Sequence, residues 1–196
     1  MVCDFELDLE TMPVGGPRMI ALLGGTIGNF APQQRAGSLR RINNLLDPDD
    51  RFLLGTDLVK DRATLEAAYD DSAGVTAEFN RNVLHVLNRE LDADFPTEHF
   101  EHVAFFDPDG FEHVALFDAE REWIEMRLRA LRTATVTIPA INLEVAFAAG
   151  EEVRTEISAK FTRARLQADY AASGLELAEW FTDDRQLFAL SLASRN

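Results

Sequence analysis

The chain has 196 residues, 46% hydrophobic and 27% charged, and its 19 Lys and Arg against 34 Asp and Glu leave a formal net charge of −15. A chain of this length buries roughly 70% of the surface its unfolded form exposes, so it builds a core without disulfides or a structural metal. The acidic surplus argues against nucleic acid and anionic membranes, both of which attract Lys/Arg clusters, and leaves small molecules and proteins as the expected partners. The lone Cys3 cannot close an internal disulfide, and no secretory signal opens the chain, so a reducing cytoplasm is expected. The longest apolar run, Met19 to Leu23, falls far short of the ~20 residues of a membrane span, and no membrane association is expected.

Met1 to Phe5 reads as the tail of a buried strand, so the chain is expected to begin in mid-fold. A turn at Pro13 to Pro17 leads into Arg18 to Leu23, a continuous apolar run with the length of a buried parallel strand. The glycine-rich stretch Gly24 to Phe30 follows. Pro32 opens a predicted helix through Leu46, and Arg51 to Asp57 reads as the next strand. Strand, helix and strand with short connectors predict an open α/β sheet, whose ligands lie at the carboxyl ends of the strands. That rim would hold Asp4, Phe5, the 24–30 loop, Thr56 and Asp57.

Residues 60–94 are helical in period, with Leu65, Ala68, Ala73, Phe79, Val83, Leu84, Leu87 and Leu91 as candidate core positions. Residues 122–158 switch to strand-like alternation in three runs, 123–129, 133–138 and 143–147. The last part returns to α/β habits, with a helix around 162–172, a strand from Leu175 to Thr182 and a closing strand from Leu187 to Leu192. Residues 1–59 and 159–196 are therefore expected to form one sheet domain, with 60–158 as an insert.

Phe100 to Asp107 recurs as Phe111 to Asp118, identical at seven of eight positions with an offset of eleven. Two copies are too few for a solenoid, so the repeat reads as a local duplication lengthening a loop or hairpin around the turn-forming Asp107-Pro108-Asp109-Gly110. Two of the three clustered histidines, His99, His102 and His113, are copies of one unit, and no metal site is expected from them. The aspartate pairs Asp49-Asp50, Asp70-Asp71 and Asp183-Asp184 read as solvated charges at turns and helix ends.

Gly24, Gly25 and Gly28 would let a ligand approach the backbone closely, or would merely form a turn. Asn29 offers an acceptor and two donors to an amino-acid head group, or else caps a helix. In an extended segment Glu156 and Ser158 share a face, so a carboxylate and a hydroxyl could grip one ring with two nitrogens; an exposed strand face explains them equally well. No Ser-His-Asp or Cys-His arrangement is evident, and no residue is assignable as a general base.

The runs Gly-Gly-Thr-Ile-Gly-Asn at 24–29, Leu-Leu-Gly-Thr-Asp-Leu-Val-Lys-Asp at 53–61, Ala-Tyr-Asp-Asp at 68–71, Gly-Val-Thr-Ala-Glu-Phe-Asn-Arg-Asn-Val-Leu at 74–84, Ile-Glu-Met-Arg-Leu-Arg at 124–129 and Thr-Glu-Ile-Ser-Ala-Lys-Phe at 155–161 stand in this order. Together they make the chain resemble the S-adenosylmethionine-dependent histidine Nα-methyltransferases of ergothioneine biosynthesis. The resemblance implies a class I, Rossmann-like methyltransferase sheet with an inserted α+β substrate-recognition domain. It also implies S-adenosyl-L-methionine as cofactor, with L-histidine and its methylated intermediates as substrates on the way to trimethylhistidine. By the same resemblance Asp4, Phe5, Gly24 and Gly25 would contact the cofactor. Asn29 and Tyr69 would hold the amino and carboxylate groups of histidine, and Met126, Glu156, Ile157 and Ser158 would form the imidazole pocket.

The family's glycine-rich cofactor loop, its ribose-binding acid and a tyrosine of the histidine site have no counterpart here. A sheet without its first strands is expected to expose an unpaired edge, to self-associate there, and to be poorly stable or inactive by itself. Two other readings stay open: a non-catalytic amino-acid-binding or partner-dependent fragment, and a methyltransferase for another amine.

Overall fold

The computed structural model describes residues 9–13, 15–107 and 122–196. The elements in chain order are β1 (Met19–Leu22), α1 (Pro32–Leu45), β2 (Arg51–Asp57), α2 (Arg62–Tyr69), α3 (Val75–Glu90), β3 (Phe100–Asp107), β4 (Trp123–Ala130), β5 (Ala134–Ile138), β6 (Leu143–Phe147), β7 (Glu152–Ala159), α4 (Arg163–Ala172), β8 (Leu175–Thr182) and β9 (Phe188–Arg195). They fall into two compact units, Met1–Val59 with Ala159–Asn196, and Lys60–Ser158.

The first unit is α/β, built on a four-stranded sheet in the order β1-β2-β9-β8. β1 runs parallel to β2, Met19 opposite Arg51, while β9 returns antiparallel to both β2 and β8. Phe52 and Leu54 of β2 are fully buried, as alternation requires of a central strand. Tyr170 of α4 packs edge-on against Phe52, with its hydroxyl 2.7 Å from Ser191 Oγ on β9. Burial pushes that phenol's pKa up, so it stays neutral. α1 begins with Pro32, whose missing N–H costs nothing at that position, and the Gln34 side chain accepts from the Ala31 amide. β1 is parallel as expected but not buried: among the described residues it pairs only with β2, and Met19 is 60% exposed.

Asp49 and Asp50 divide rather than sharing a solvated turn. Asp50 is wholly buried and accepts from the Arg18 backbone amide and, at 2.9 Å, from Arg18 Nε. The Arg18 guanidinium, and then the Asp47 amide, hold its carboxyl down at about 2. The pair joins the turn before β1 to the turn before β2, so it fixes where both parallel strands begin.

The second unit packs α2 and α3 on a three-stranded sheet, β3-β4-β7, beside the β5-β6 hairpin. Leu84, Phe95, Phe100, Leu128, Val136 and Phe147 form its larger core, each such side chain contributing roughly 1.5–3 kcal/mol on burial. The helical period of residues 60–94 is realised as two helices, α2 and α3. Gly74 at φ 73 turns the chain, and Asp71 accepts the Val75 and Thr76 amides at the start of α3. Two of the expected core positions, Phe79 and Val83, are instead 64% and 38% exposed, and Ala68 and Ala73 are exposed as well. Leu84 and Leu87 of α3, and Leu91 just after it, do pack into the core as expected, and the polar Asn80 is buried on that side in place of its neighbour Phe79.

Candidate active site

In the sheet unit, β1 ends at Leu22 and the chain enters the glycine loop. Gly24 and Gly25 take left-handed φ of 83° and 75°, with open space where a Cβ would stand. A short 3-10 helix, Thr26–Asn29, follows and ends on the exposed side chain of Asn29. Gly28 within it is buried, and a Cβ there would lie 2.9 Å from the carbonyl oxygen of Ala159 at the end of β7. The loop is therefore seated against that strand end by the absence of a side chain, which is a structural reason for the third glycine.

Next on this unit's rim, Lys160 is completely buried and its Nζ lies 2.8 Å from Asp57 Oδ2 at the carboxyl end of β2. The Phe161 amide donates to the Asp57 carbonyl and the Val59 amide to the Phe161 carbonyl, which clips this segment to the end of β2. A buried ammonium needs such a partner, because desolvation would otherwise favour its neutral form. A cleft of about 430 Å³ in the same unit is lined by Leu58, Val59, Phe161, Thr162 and Trp180, among others, and by none of the residues singled out from the sequence as ligands.

In the second unit, Tyr69 is the last residue of α2. Its hydroxyl donates to Ser158 Oγ at 2.8 Å. Met126 is buried with Leu65 and Ile124, and Tyr69 packs on the same cluster. Ile157 is buried beside Ser158 on β7, and Glu156 is half-buried two residues before Ser158. Tyr69, Met126 and Ser158 thus belong to one side-chain group, while Asn29, Gly24 and Gly25 lie in the sheet unit. Asp4 and Phe5 fall outside the described residues, as do His113 and the second copy of the repeat.

On β4, Glu125 is buried and receives the Trp123 indole N–H at 3.2 Å, Arg127 Nε at 2.9 Å and Arg154 at 3.0 Å. This acid is saturated with donors, so its charge is paired where it stands and it ties the sheet together. Asp71, four residues before the first residue of α3, is likewise committed to backbone amides: the Thr76 N–H, first among its partners, holds its carboxyl at about 2. Among the described residues no three His, Cys, Asp or Glu side chains are grouped as a metal site would need. No described helix is long and apolar enough to cross a membrane.

Four further residues of these sites have partners that the sequence did not show. Asp57 was placed on the rim without a partner, and Lys160 stands as the one charge in the run Ile157 to Phe161, a signal of a buried ion pair. Asn80 interrupts an otherwise apolar helical stripe, the signal of a satisfied buried amide. Its partner His102 was considered only as a metal ligand.

The profile of the histidine-specific, SAM-dependent methyltransferases matches residues 1–109 and again 104–195. The chain belongs to this family. The two matches overlap at 104–109, beside the point where the repeat restarts, which is what a duplication within the family pattern produces. Histidine N-alpha-methyltransferase of Mycolicibacterium smegmatis is 50% identical over 195 residues, covering 99% of this chain and 57% of the relative. The protein of the same name from Mycobacterium tuberculosis is 49% identical over the same shares. Ergothioneine biosynthesis protein 1 of Neurospora crassa is 38% identical over 71 residues, 36% of this chain. This member of the methyltransferase family therefore spans 57% of the length of its two bacterial relatives. The solved CcbJ methyltransferase of Streptomyces caelestis aligns with a TM-score of 0.45 and 11% identity, over 99% of this chain and 62% of that one.

Proposed function

We propose that this chain takes part in transferring methyl groups from S-adenosylmethionine to the α-amine of L-histidine, giving Nα-trimethylhistidine for ergothioneine biosynthesis in the cytoplasm. The observation that carries the substrate assignment is the Tyr69–Ser158 hydrogen bond, with Glu156 on the same strand face as Ser158. A carboxylate accepts from a ring N–H, and a hydroxyl can donate to the second ring nitrogen, so Glu156 and Ser158 match an imidazole. Met126, buried in the cluster on which Tyr69 packs, would supply the apolar side of that pocket. Asn29 is assigned to the α-amino and carboxylate end, where its amide can both donate and accept.

The glycine loop fits the cofactor's requirement for close backbone approach, since Gly24 and Gly25 leave their Cβ positions open. When bound, the cofactor supplies an electrophilic methyl group. Alignment of a neutral amine against that carbon provides much of the rate, so the residues assigned here act by holding histidine rather than by acid–base chemistry. The acids of known commitment, Glu125 and Asp71, are spent on arginines and backbone amides, and neither serves as base. Association of copies along the β1 edge, where Met19 and Leu23 are exposed, belongs to the same reading.

Mass spectrometry of a reaction holding S-adenosylmethionine and an equimolar mixture of amino acids tests the assignment. Histidine carrying one to three methyl groups is the expected product. Methylation of another amine with histidine left unmodified overturns it.

A further inference from the structure

Behind the Tyr69–Ser158 pair lies a second polar chain that the substrate assignment does not use. Asn80 of α3 is only 3% exposed, and its Nδ2 donates to the Arg127 carbonyl at 3.0 Å and lies 2.9 Å from His102 Nδ1. Its Oδ1 accepts from Thr155 Oγ1 at 2.6 Å. On the far side of the ring, His102 Nε2 lies 2.8 Å from the backbone carbonyl of Tyr69.

The donors and acceptors in this chain admit one assignment. The Arg127 carbonyl can only accept, so the amide NH2 of Asn80 must face it, and the flipped amide would set oxygen against oxygen. That NH2 then meets His102 Nδ1, which must be the unprotonated nitrogen. The Tyr69 carbonyl likewise only accepts, so Nε2 carries the proton. His102 is thus held as the neutral Nε2–H tautomer, donating to the main chain of the residue whose phenol contacts Ser158.

The ends of this chain coincide with the two elements of the histidine pocket. One is the carbonyl of Tyr69, at the last turn of α2, where helix carbonyls lack intrahelical partners. The other is Thr155, adjacent to Glu156 on β7, whose hydroxyl also lies 3.0 Å from the Met126 carbonyl. α2, α3, β3, β4 and β7 are therefore tied at one place by side chains that need not touch the ligand.

We propose that Asn80 and His102 are positioning residues that hold the Tyr69 end of α2 in register with β7, and so set the affinity of the pocket for histidine. The inference rests on the histidine reading above for its ligand, and on the hydrogen-bond chain alone for its geometry. His102→Leu removes the donor to Tyr69, whereas His102→Gln keeps a side-chain amide that can reach the same carbonyl.

The chain has two tyrosines and four histidines, so spectra of ring-labelled protein are simple to assign. In the unmodified chain, 15N spectra are expected to show His102 protonated on Nε2 and not on Nδ1. The Tyr69 ring signals are expected to move in His102→Leu and to hold in His102→Gln. The dissociation constant for L-histidine is expected to rise about tenfold in His102→Leu and to stay within about threefold in His102→Gln, the loss of one hydrogen bond's net contribution. Tyr69 signals unmoved in His102→Leu, or a His102 ring protonated on Nδ1, would overturn the positioning role. An unmodified chain that binds no L-histidine but shows the expected Tyr69 and His102 spectra would overturn the substrate reading and leave the positioning role standing.

Discussion

The Tyr69 hydroxyl donates to Ser158 Oγ across 89 residues of sequence, joining the end of α2 to the end of β7 at 2.8 Å. On the proposed reading these two residues would serve opposite ends of a bound histidine, and their contact would couple recognition of the head group to recognition of the ring.

Tyr69→Phe removes that bond while keeping the ring packed on Leu65 and Met126. The expected result is a KM for histidine raised by about one order of magnitude, with the thermal midpoint nearly unchanged. Ser158→Ala should have a similar effect, and the double variant should fall short of the sum, because both singles break one shared contact. Steady-state kinetics on the three variants measure this.

Gly28→Ala would place a methyl group 2.9 Å from the Ala159 carbonyl oxygen, closer than real Cβ contacts allow. The glycine loop must lift away from the end of β7, at a cost of about 1–3 kcal/mol. Asn29 moves with it. Denaturant unfolding should show the loss of stability, and binding of S-adenosylmethionine measured by calorimetry should weaken.

Lys160→Met leaves Asp57 facing a space that its counter-charge filled. Breaking one side of a fully buried pair destabilises by about 3–5 kcal/mol; Asp57 keeps 27% of its side chain exposed, so this variant should lose less than that but a measurable part of its folding stability. Lys160→Met combined with Asp57→Asn should recover part of it, since no uncompensated carboxylate remains. The comparison is a set of urea midpoints.

Asp50 and Asp71 both have folded pKa values of about 2 against an ordinary 3.8. Folding lowers these values, so protonation favours the unfolded chain; the contribution is complete above about pH 4 and disappears as the pH falls towards 2. Asp71→Asn keeps an acceptor for only one of the Val75 and Thr76 amides and cannot titrate, so it should lower stability at neutral pH and flatten part of that acid slope. Thermal melts between these pH values test the sign.

Much of the sheet unit was legible because its strands advertise themselves: Met19 to Leu23 and Phe52 to Leu54 are apolar runs of strand length, and the glycines at 24 and 25 mark the turn where β1 stops. The α3 face was legible only in part. Phe79 and Val83 are more hydrophobic than Asn80, so composition favoured them, and only the three hydrogen bonds that satisfy Asn80 show why a polar side chain goes inward. Asp50 and Lys160 were misjudged or missed for the same reason. A charge reads as solvated until its partner is known, and Arg18 and Asp57 lie 32 and 103 residues away. For the ligand residues, the sequence named types suited to histidine, whereas the Tyr69–Ser158 contact depends on how α2 packs against β3 and β4.

The central claim is that the Lys60–Ser158 unit selects histidine through Glu156, Ser158 and Tyr69. Calorimetric titration of the purified chain with L-histidine, with phenylalanine and leucine as controls, tests it most directly. The account predicts saturable binding of histidine alone, abolished in Glu156→Ala. Equal binding of all three amino acids, or histidine binding untouched by Glu156→Ala and Ser158→Ala, would contradict it.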